Sequence, residues 1–435
     1  MDLESFQLLL SPPGQRALAE AMSLAPREQD FLAHLTALSR MHPRELARTA
    51  LETAILRREA AVKFPQADQM YFTRPALEQA TAHPVSAYRA RRYAAFDLLL
   101  DLGCSIGADT LALAVMAPTL GVDLDPLRLA MASANLNAVL PDRPVSFVQA
   151  NLTHPLPLRL SPRLGVFFDP ARRSESRSEG RSEGRSESRR IHSVHRYHPP
   201  LEVIRLWLTH TPAVGVKVSP AVALQELAGY DAEIEFISLG GDLKEALLWF
   251  GPLKTAARRA TLLPGPHTLI SSQDEQARSL TDAGPHLPLS EPLAFLYEPD
   301  PAVLRAGLVR SLGARLDAAQ LDPDIAYLTA DRLVETPFAR AYAVEDWLPF
   351  NLKRLRFALR LRGVERAVVK KRGSPIQPEA LLHDLHLKPG GGPSTAERIV
   401  FLTHLRGKPI AVICYPRISA APSSGSETSI LSGTK

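Results

Sequence analysis

Two acids standing at the ends of two apolar runs suggest a site for a cation and a sugar diol. Residues 98–125 read LLLDLGCSIGADTLALAVMAPTLGVDLD. The first run ends in Asp101, turns through Gly103, Ser105 and Gly107, and continues as the apolar face of a helix. The second run ends in Asp123. This pattern predicts a strand, a glycine turn, a helix and a strand, and open α/β sheets bind ligands at such strand tips. Glycines there let a ligand lie against the backbone, because a Cβ would block it or resist positive φ. The spacing is Gly103-x-x-x-Gly107, not the G-x-G-x-x-G of dinucleotide folds. Asp101 would also repel a pyrophosphate. It suits instead the cationic methionine end of S-adenosylmethionine (SAM), so SAM is expected rather than NAD. Asp123, 22 residues after Asp101, can accept both ribose hydroxyls. Asp125 competes for that role, but Asp125-Pro126 also makes a good helix N-cap.

Further candidates lie at later strand ends. Asn151 follows VSFVQA and can read an adenine edge; equally, it can be a turn residue, which asparagine favours. Asp169-Pro170-Ala171-Arg172-Arg173 follows a fourth run. Asp169 would face the sulfonium methyl and hold an acceptor amine, where positioning matters more than acid–base help. Arg172 and Arg173 can hold a phosphate bidentately, or simply mark the mouth of the arginine-rich segment that follows. Lys217 in VGVKVSP would face the same cleft. Lys370-Lys371-Arg372-Gly373 is the densest basic cluster outside that segment, a candidate contact for a phosphate backbone; a solvated surface run is the competing reading. The histidines at 192, 195 and 198 have no Cys or acid pattern to complete a zinc site, so no metal is expected. No G-x-S-x-G, P-loop or CxxC motif is present.

The elements that would position these residues follow from periodicity. Leu46, Ala50, Leu51, Ala54 and Ile55 recur at helical spacing after Pro43, and residues 1–92 read as all-helical. Strands are expected at 96–102, 119–123, 145–150, 165–169, 213–218, 232–239 and 245–250, the last two antiparallel. Helices are expected at 108–117, 126–138, 201–208 and 221–226. Such alternation predicts a mostly parallel, doubly wound sheet. Residues 256–290 read as a linker region, polar with Gly and Pro from 271 onward. Beyond it, helices at 302–312 and 351–361, a strand at 365–370 and a hairpin of 399–405 and 409–414 around Arg406-Gly407 predict an α+β domain.

Composition limits the remaining options. A chain of 435 residues exceeds one ordinary domain. Two cysteines exclude a disulfide framework and fit a reducing cytosol, so a cytoplasmic location is expected. The N-terminus lacks a basic region, and no apolar run approaches the ~20 residues of a membrane span, so no membrane association is expected. The net charge of +5 says little, because seven arginines and four glutamates fall within 172–190. There RSES and RSEG alternate, which predicts a disordered low-complexity insert at 173–190; an RNA-binding Arg/Ser tract is the sharper reading. The Ser/Gly-rich tail 418–435 is expected to be disordered too.

The segments DLGCSIGADT, GVDLDP, FFDPARR and VKVSP together resemble the class I SAM-dependent methyltransferases. More narrowly, they resemble bacterial members with a THUMP-like C-terminal domain, distantly similar to trimethylguanosine synthases. KFPQADQMYFTRPALEQATAHPVSAYRARRY resembles that family's lead-in helices, and LDPDIAYLTAD, PFARAYAV, LPFNLKRL and VVKKRG its THUMP-like domain. The resemblance implies a Rossmann-like, seven-stranded methyltransferase sheet at 93–255, a helical domain at 1–92 and an α+β THUMP-like domain at 291–417. It implies that Asp101, Gly103, Ser105 and Gly107 form the first SAM motif and that Asp109 and Thr110 reach the methionine portion. Asp123 takes the ribose, Asn151 the adenine side, and Asp169-Pro170 the acceptor. Thr73 and Glu78 match a segment that closes over the cofactor. Three departures stand out: Ser105 for glycine, Asn151 for Asp, and Ala171-Arg172 where amino methyltransferases carry Pro and an aromatic. Tyr71, Phe72 or Tyr197 would have to supply the missing stacking platform. The expected reaction is methyl transfer to a base nitrogen of RNA, with the KKRG segment and Arg172 helping to bind it. The rivals are a methyltransferase acting on a protein or small molecule, and a non-catalytic RNA-binding module.

Overall fold

The structure is a computed structural model that describes residues 1–154, 161–172, 192–271, 285–390 and 396–416. The RSES/RSEG segment, Arg173, part of the 271–290 stretch and the tail from 417 lie outside the described residues. The chain divides into two compact units, Met1–Ala283 with Pro301–Leu308, and Gly284–Asp300 with Val309–Lys435.

The first unit begins with helices α1 (Leu3–Leu10), α2 (Pro12–Ser23), α3 (Phe31–Leu38), α4 (Arg44–Ala60), α5 (Arg74–Gln79) and α6 (His83–Ala90). Local chemistry starts them. Asp2 accepts from Ser5 N ahead of α1, Thr73 caps α5, and Pro43 precedes α4 with Glu45 in its first turn. The sheet then alternates with helices: β1 (Leu98–Leu102), α7 (Ala108–Met116), β2 (Thr119–Asp123), α8 (Pro126–Val139), β3 (Val145–Gln149), β4 (Leu164–Phe168), α9 (Ile204–Leu208), β5 (Val214–Val218), β6 (Glu233–Leu239) and β7 (Asp242–Trp249). The spatial order is β3-β2-β1-β4-β5-β7-β6. Strands β1 to β5 pair in parallel and β7 runs antiparallel between β5 and β6. The parallel strands β4 and β5 are buried along their whole length, as strands covered on both faces must be.

Three sequence expectations change here. Residues 256–270 are not linker: β8 (Arg258–Leu263) pairs parallel with β6, and β9 (His267–Ile270) folds back on β8. The seven-stranded core thereby gains two strands at the β6 edge, whose backbone groups would otherwise be unpaired. Residues 221–226 form no α-helix, only a short 3-10 turn at Leu224–Leu227. The helix expected at 302–312 is broken by Gly307, at φ +68°, into α10 (Pro301–Arg305) and α11 (Val309–Arg315). The helices α1–α5 share one apolar core with the sheet's own helices: Phe6, Leu18, Leu51 and Phe72 cluster with Ile106, Leu111, Met131 and Leu136.

The second unit carries β10 (Phe295–Pro299), α11, β11 (Ala319–Asp322), β12 (Ile325–Ala330), β13 (Ala339–Pro349), α12 (Leu352–Leu361), β14 (Arg366–Lys371), α13 (Pro378–Leu385), β15 (Lys388–Pro389), β16 (Glu397–Leu405) and β17 (Lys408–Cys414). The sheet order is β11-β12-β10-β13-β17-β16-β14-β15. Period-two alternation splits the strands between two cores. Val400, Leu402, Ala411 and Ile413 meet Leu355, Leu359, Leu381 and Leu385 of α12 and α13. Ile399, Phe401, Ile410 and Val412 meet Leu296, Tyr327 and Tyr342 instead.

Candidate active site

The glycine turn after β1 is held from below by β2. Gly103 N and Cys104 N both donate to the Val122 carbonyl, at 2.8 and 3.0 Å. Gly103 has φ +82°, and a Cβ there would stand 2.5 Å from the Asp169 carbonyl oxygen. Gly107, at φ +80°, lies so close to Ala132 and Leu136 of α8 that a Cβ would meet them at 3.0–3.3 Å. Ser105 takes the left-handed region as well, at φ +49°, which a small polar residue tolerates at some cost. Its N–H donates to Asp123 Oδ2 at 2.8 Å, while Asp125 N donates to Asp123 Oδ1 at 3.0 Å. Asp125 is the N-cap of α8, accepting from Leu127 N and Arg128 N. Asn151 is exposed, and its side chain accepts from the backbone and hydroxyl of Thr153, the turn geometry named above as its alternative.

Behind the turn lies a buried cluster of charges. Thr110 Oγ1 donates to Asp101 Oδ2 at 2.5 Å. Asp101 Oδ1 is buried with no partner among the described residues. Burial first, and then the Asp109 charge, pushes the Asp101 carboxyl up to about 8, against the pull of Thr110 and Arg89. Asp109 itself is turned to Arg89 of α6, which also donates to Glu245 of β7 at 2.7 Å. The Arg89 guanidinium lies 4.0 Å from the centroid of the Phe167 ring. Burial opposes its charge, but Asp109 and Glu245 outweigh that and raise its pKa. Lys217 of β5, 4% exposed, donates to Asp169 Oδ2 at 2.7 Å and to Thr81 Oγ1 at 2.9 Å. Asp169 is 23% exposed, and Lys217 leaves its Oδ1 without a protein partner among the described residues. Four carboxyl groups, Asp101, Asp109, Asp169 and Glu245, thus stand around Arg89 and Lys217, with Asp101 holding its proton near neutral pH.

The structure therefore brings together Asp101, Gly103, Ser105, Gly107, Asp109, Thr110, Asp123, Asp169 and Lys217. Arg172 is half-buried beyond Pro170. Tyr71, Phe72 and Tyr197 are all packed inside, so none of the three supplies a stacking platform. Thr73 caps α5, and Lys63 closes the other end of that helix through the carbonyls of Leu77, Glu78 and Ala80. The sequence reading passed over Arg89, Thr81, Glu245 and Asn135. Asn135 of α8 donates to the carbonyls of Ile106 and Tyr71 and accepts from Tyr71 N. Among the described residues no group of three or more His, Cys, Asp or Glu could hold a metal ion, and no helix is long and apolar enough to cross a membrane.

The chain is 36% identical over 349 residues to a protein of Mycobacterium tuberculosis described as an uncharacterized S-adenosylmethionine-dependent methyltransferase, found in two strains. The match covers 78% of this chain and 88% of the relative. The chain belongs to the SAM-dependent methyltransferases.

This methyltransferase carries a second signature: residues 339–416 match the family described as THUMP domain-like. Residues 2–60 match a domain of unknown function. A solved structure of a putative methyltransferase from Porphyromonas gingivalis shares the fold, with a TM-score of 0.67 at 19% identity; the match covers 91% of this chain and all of that one. The site suits the cofactor of the family. A buried oxygen without a donor at Asp101, beside a turn that a Cβ would obstruct, fits a ligand bearing an ammonium group and a sulfonium charge. In the THUMP-like domain of the methyltransferase, the KKRG cluster already has partners. Lys370 pairs with Glu298 and reaches Tyr342 Oη at 3.0 Å. Lys371 donates to Gln377, and Arg372 donates to the Ala326 carbonyl above the Tyr327 ring.

Proposed function

We propose that this methyltransferase transfers the SAM methyl group to a base nitrogen of RNA, in the cytoplasm. The observation that carries the RNA reading is the THUMP-like match at 339–416 in the same chain as the methyltransferase sheet. Asp101 Oδ1 would take the methionine ammonium, the Gly103–Gly107 turn would lie under the cofactor, and Asp123 would take the ribose hydroxyls. Asn151 would sit on the adenine side, through its backbone more than its committed side chain.

When bound, SAM supplies an activated methyl on sulfur. The protein's part is to place the acceptor. The Asp169 carbonyl lies beside the turn, and Lys217 fixes Oδ2 of a carboxylate that is 23% exposed. An acceptor N–H donating to Asp169 would be held at the edge of the cofactor turn, which is the positioning that methyl transfer needs. With SAM bound, transfer would exchange the methyl C–S bond for an N–C bond, and Asp169 or water would accept the proton that the acceptor nitrogen loses. Positioning of this kind is where most of the rate enhancement would arise. Arg172 would hold a neighbouring phosphate.

A protein or small-molecule acceptor is the second reading, favoured by the absence of an aromatic platform at Ala171-Arg172 and the packed state of Tyr71, Phe72 and Tyr197. The deciding experiment uses the full-length protein, methyl-labelled SAM and total RNA from cells lacking this protein. Label should enter RNA, fall by about a hundredfold or more with Asp169→Ala, and vanish with Asp123→Ala, which should also abolish SAM binding in calorimetry. Label entering only protein or a small-molecule fraction would overturn the RNA reading.

A further inference from the structure

Helix α12 presents an outer face whose composition its own packing does not require. Leu355 and Leu359 are buried against β14 and β16, and this inner stripe anchors the helix. On the other side Phe357 is 69% and Leu361 73% exposed, beside exposed Lys353, Arg354 and Arg360. At 3.6 residues per turn these five positions fall within an arc of about 120°. The helix contains no acid. Its other arginine, Arg356, donates to the Asp384 carbonyl, and Arg362 beyond its end pairs with Asp346 and Glu345. Lys353, Arg354 and Arg360 have no such side-chain partner among the described residues. Lys353 and Arg354 moreover stand in the first turn, capped by Asn351, where the helix dipole disfavours cations. A helix that places cations against its own dipole and a phenyl ring in water breaks local rules without a packing gain, which is the signature of a functional surface.

We propose that this face of α12 docks single-stranded RNA, with a base stacked on Phe357 and phosphates held by Lys353, Arg354 and Arg360. The proposal rests on the RNA reading above and names the surface that reading needs. Aromatic rings flanked by cations are how single strands are bound without sequence preference. A membrane surface is disfavoured, because the continuous apolar stripe of α12 is already buried in the domain core and only two apolar side chains remain outside. The KKRG cluster is the weaker candidate, since each of its cations has an acceptor within the domain.

Fluorescence anisotropy of labelled oligouridine with the full-length protein tests this, with thermal melts to confirm that each variant is folded. Phe357→Ala should weaken binding about tenfold with the salt dependence unchanged. Lys353→Gln combined with Arg360→Gln should weaken it and lower the slope of log affinity against log salt by roughly 1.4. If the intact protein binds oligouridine and both variants bind equally well, the surface is wrong while the RNA reading stands. If the intact protein binds no oligouridine, the surface is wrong, and the RNA reading is decided separately by whether label enters total RNA. Binding to vesicles of anionic lipid that these variants abolish, with oligouridine affinity untouched, would overturn the proposal in favour of a membrane surface.

Discussion

At the tips of β1 and β2, polar groups find partners nearby in the chain. Thr110 reaches Asp101 across 9 residues, and Ser105 reaches Asp123 across 18. Around Lys217 of β5 and Arg89 of α6 remote partners join in: Lys217 meets Thr81 across 136 residues, and Arg89 meets Glu245 across 156 as well as Asp109 across 20. The turn proposed for the cofactor is therefore built mainly by one strand–turn–helix–strand unit, although Arg89 of α6 holds its Asp109. The Asp169 side proposed for the acceptor relies on groups from a different part of the chain. A local unit carries its own partners, whereas the Asp169–Lys217 pair depends on how Thr81, at the entry to α6, is seated.

The sharpest way to break this contrast is Arg89→Met. It leaves Asp109 and Glu245 buried without their cation, which should cost about 3–5 kcal/mol of stability. Urea unfolding followed by circular dichroism measures it; a loss below about 1 kcal/mol would mean these ion pairs hold little. The effect of Gly103→Ala should be smaller in stability and concentrated in the cofactor. A Cβ at φ +82° and 2.5 Å from the Asp169 carbonyl forces the turn aside, at about 1–3 kcal/mol. Calorimetry should find SAM affinity reduced at least tenfold, and unaltered affinity would show that the turn does not lie under the cofactor.

The gentlest probe is pH. The Asp101 carboxyl sits at about 8 when folded and near 3.8 when unfolded. Between those values the folded protein holds a proton that the unfolded chain releases. This contribution to stability is full below about pH 4 and is lost as pH rises through 8. A cation bound at Asp101 favours the ionised form. SAM binding at pH 7 should therefore release protons, seen as a dependence of the calorimetric heat on buffer ionisation enthalpy. Heats independent of buffer would place the ammonium elsewhere.

The same contrast explains what could be read from residues alone. The glycine turn, Asp123 and the N-cap at Asp125 follow local rules, so strand ends and spacing exposed them. The hairpin around Arg406-Gly407 was legible for the same reason: a tight turn between two alternating runs specifies its own pairing. Arg89 lay in plain view in YRARRY, yet nothing nearby marks it, because its acids belong to α7 and β7. Strands β8 and β9 were hidden by the Pro264-Gly265 turn and by charged residues, and only the open edge of β6 calls them into the sheet. The KKRG cluster shows the converse. Its residues read as a phosphate contact or a solvated surface run, and only the fold reveals that Lys370 pairs with Glu298, 72 residues away, while Lys371 and Arg372 bond the neutral acceptors Gln377 and Ala326.

Asn135 has a consequence for how the chain is made. Its side chain ties the backbone of Tyr71 to that of Ile106, and it follows Tyr71 by 64 residues. The helices α1–α5 thus leave the ribosome before Met131 and Leu136 of α8, which complete the core that they share. A nascent chain stalled ahead of α8 presents an open apolar surface, the kind that chaperones hold and proteases recognise. The order of synthesis thus sets an order of closure: the tie at Tyr71 forms only once Ile106 and Asn135 have been added to the chain.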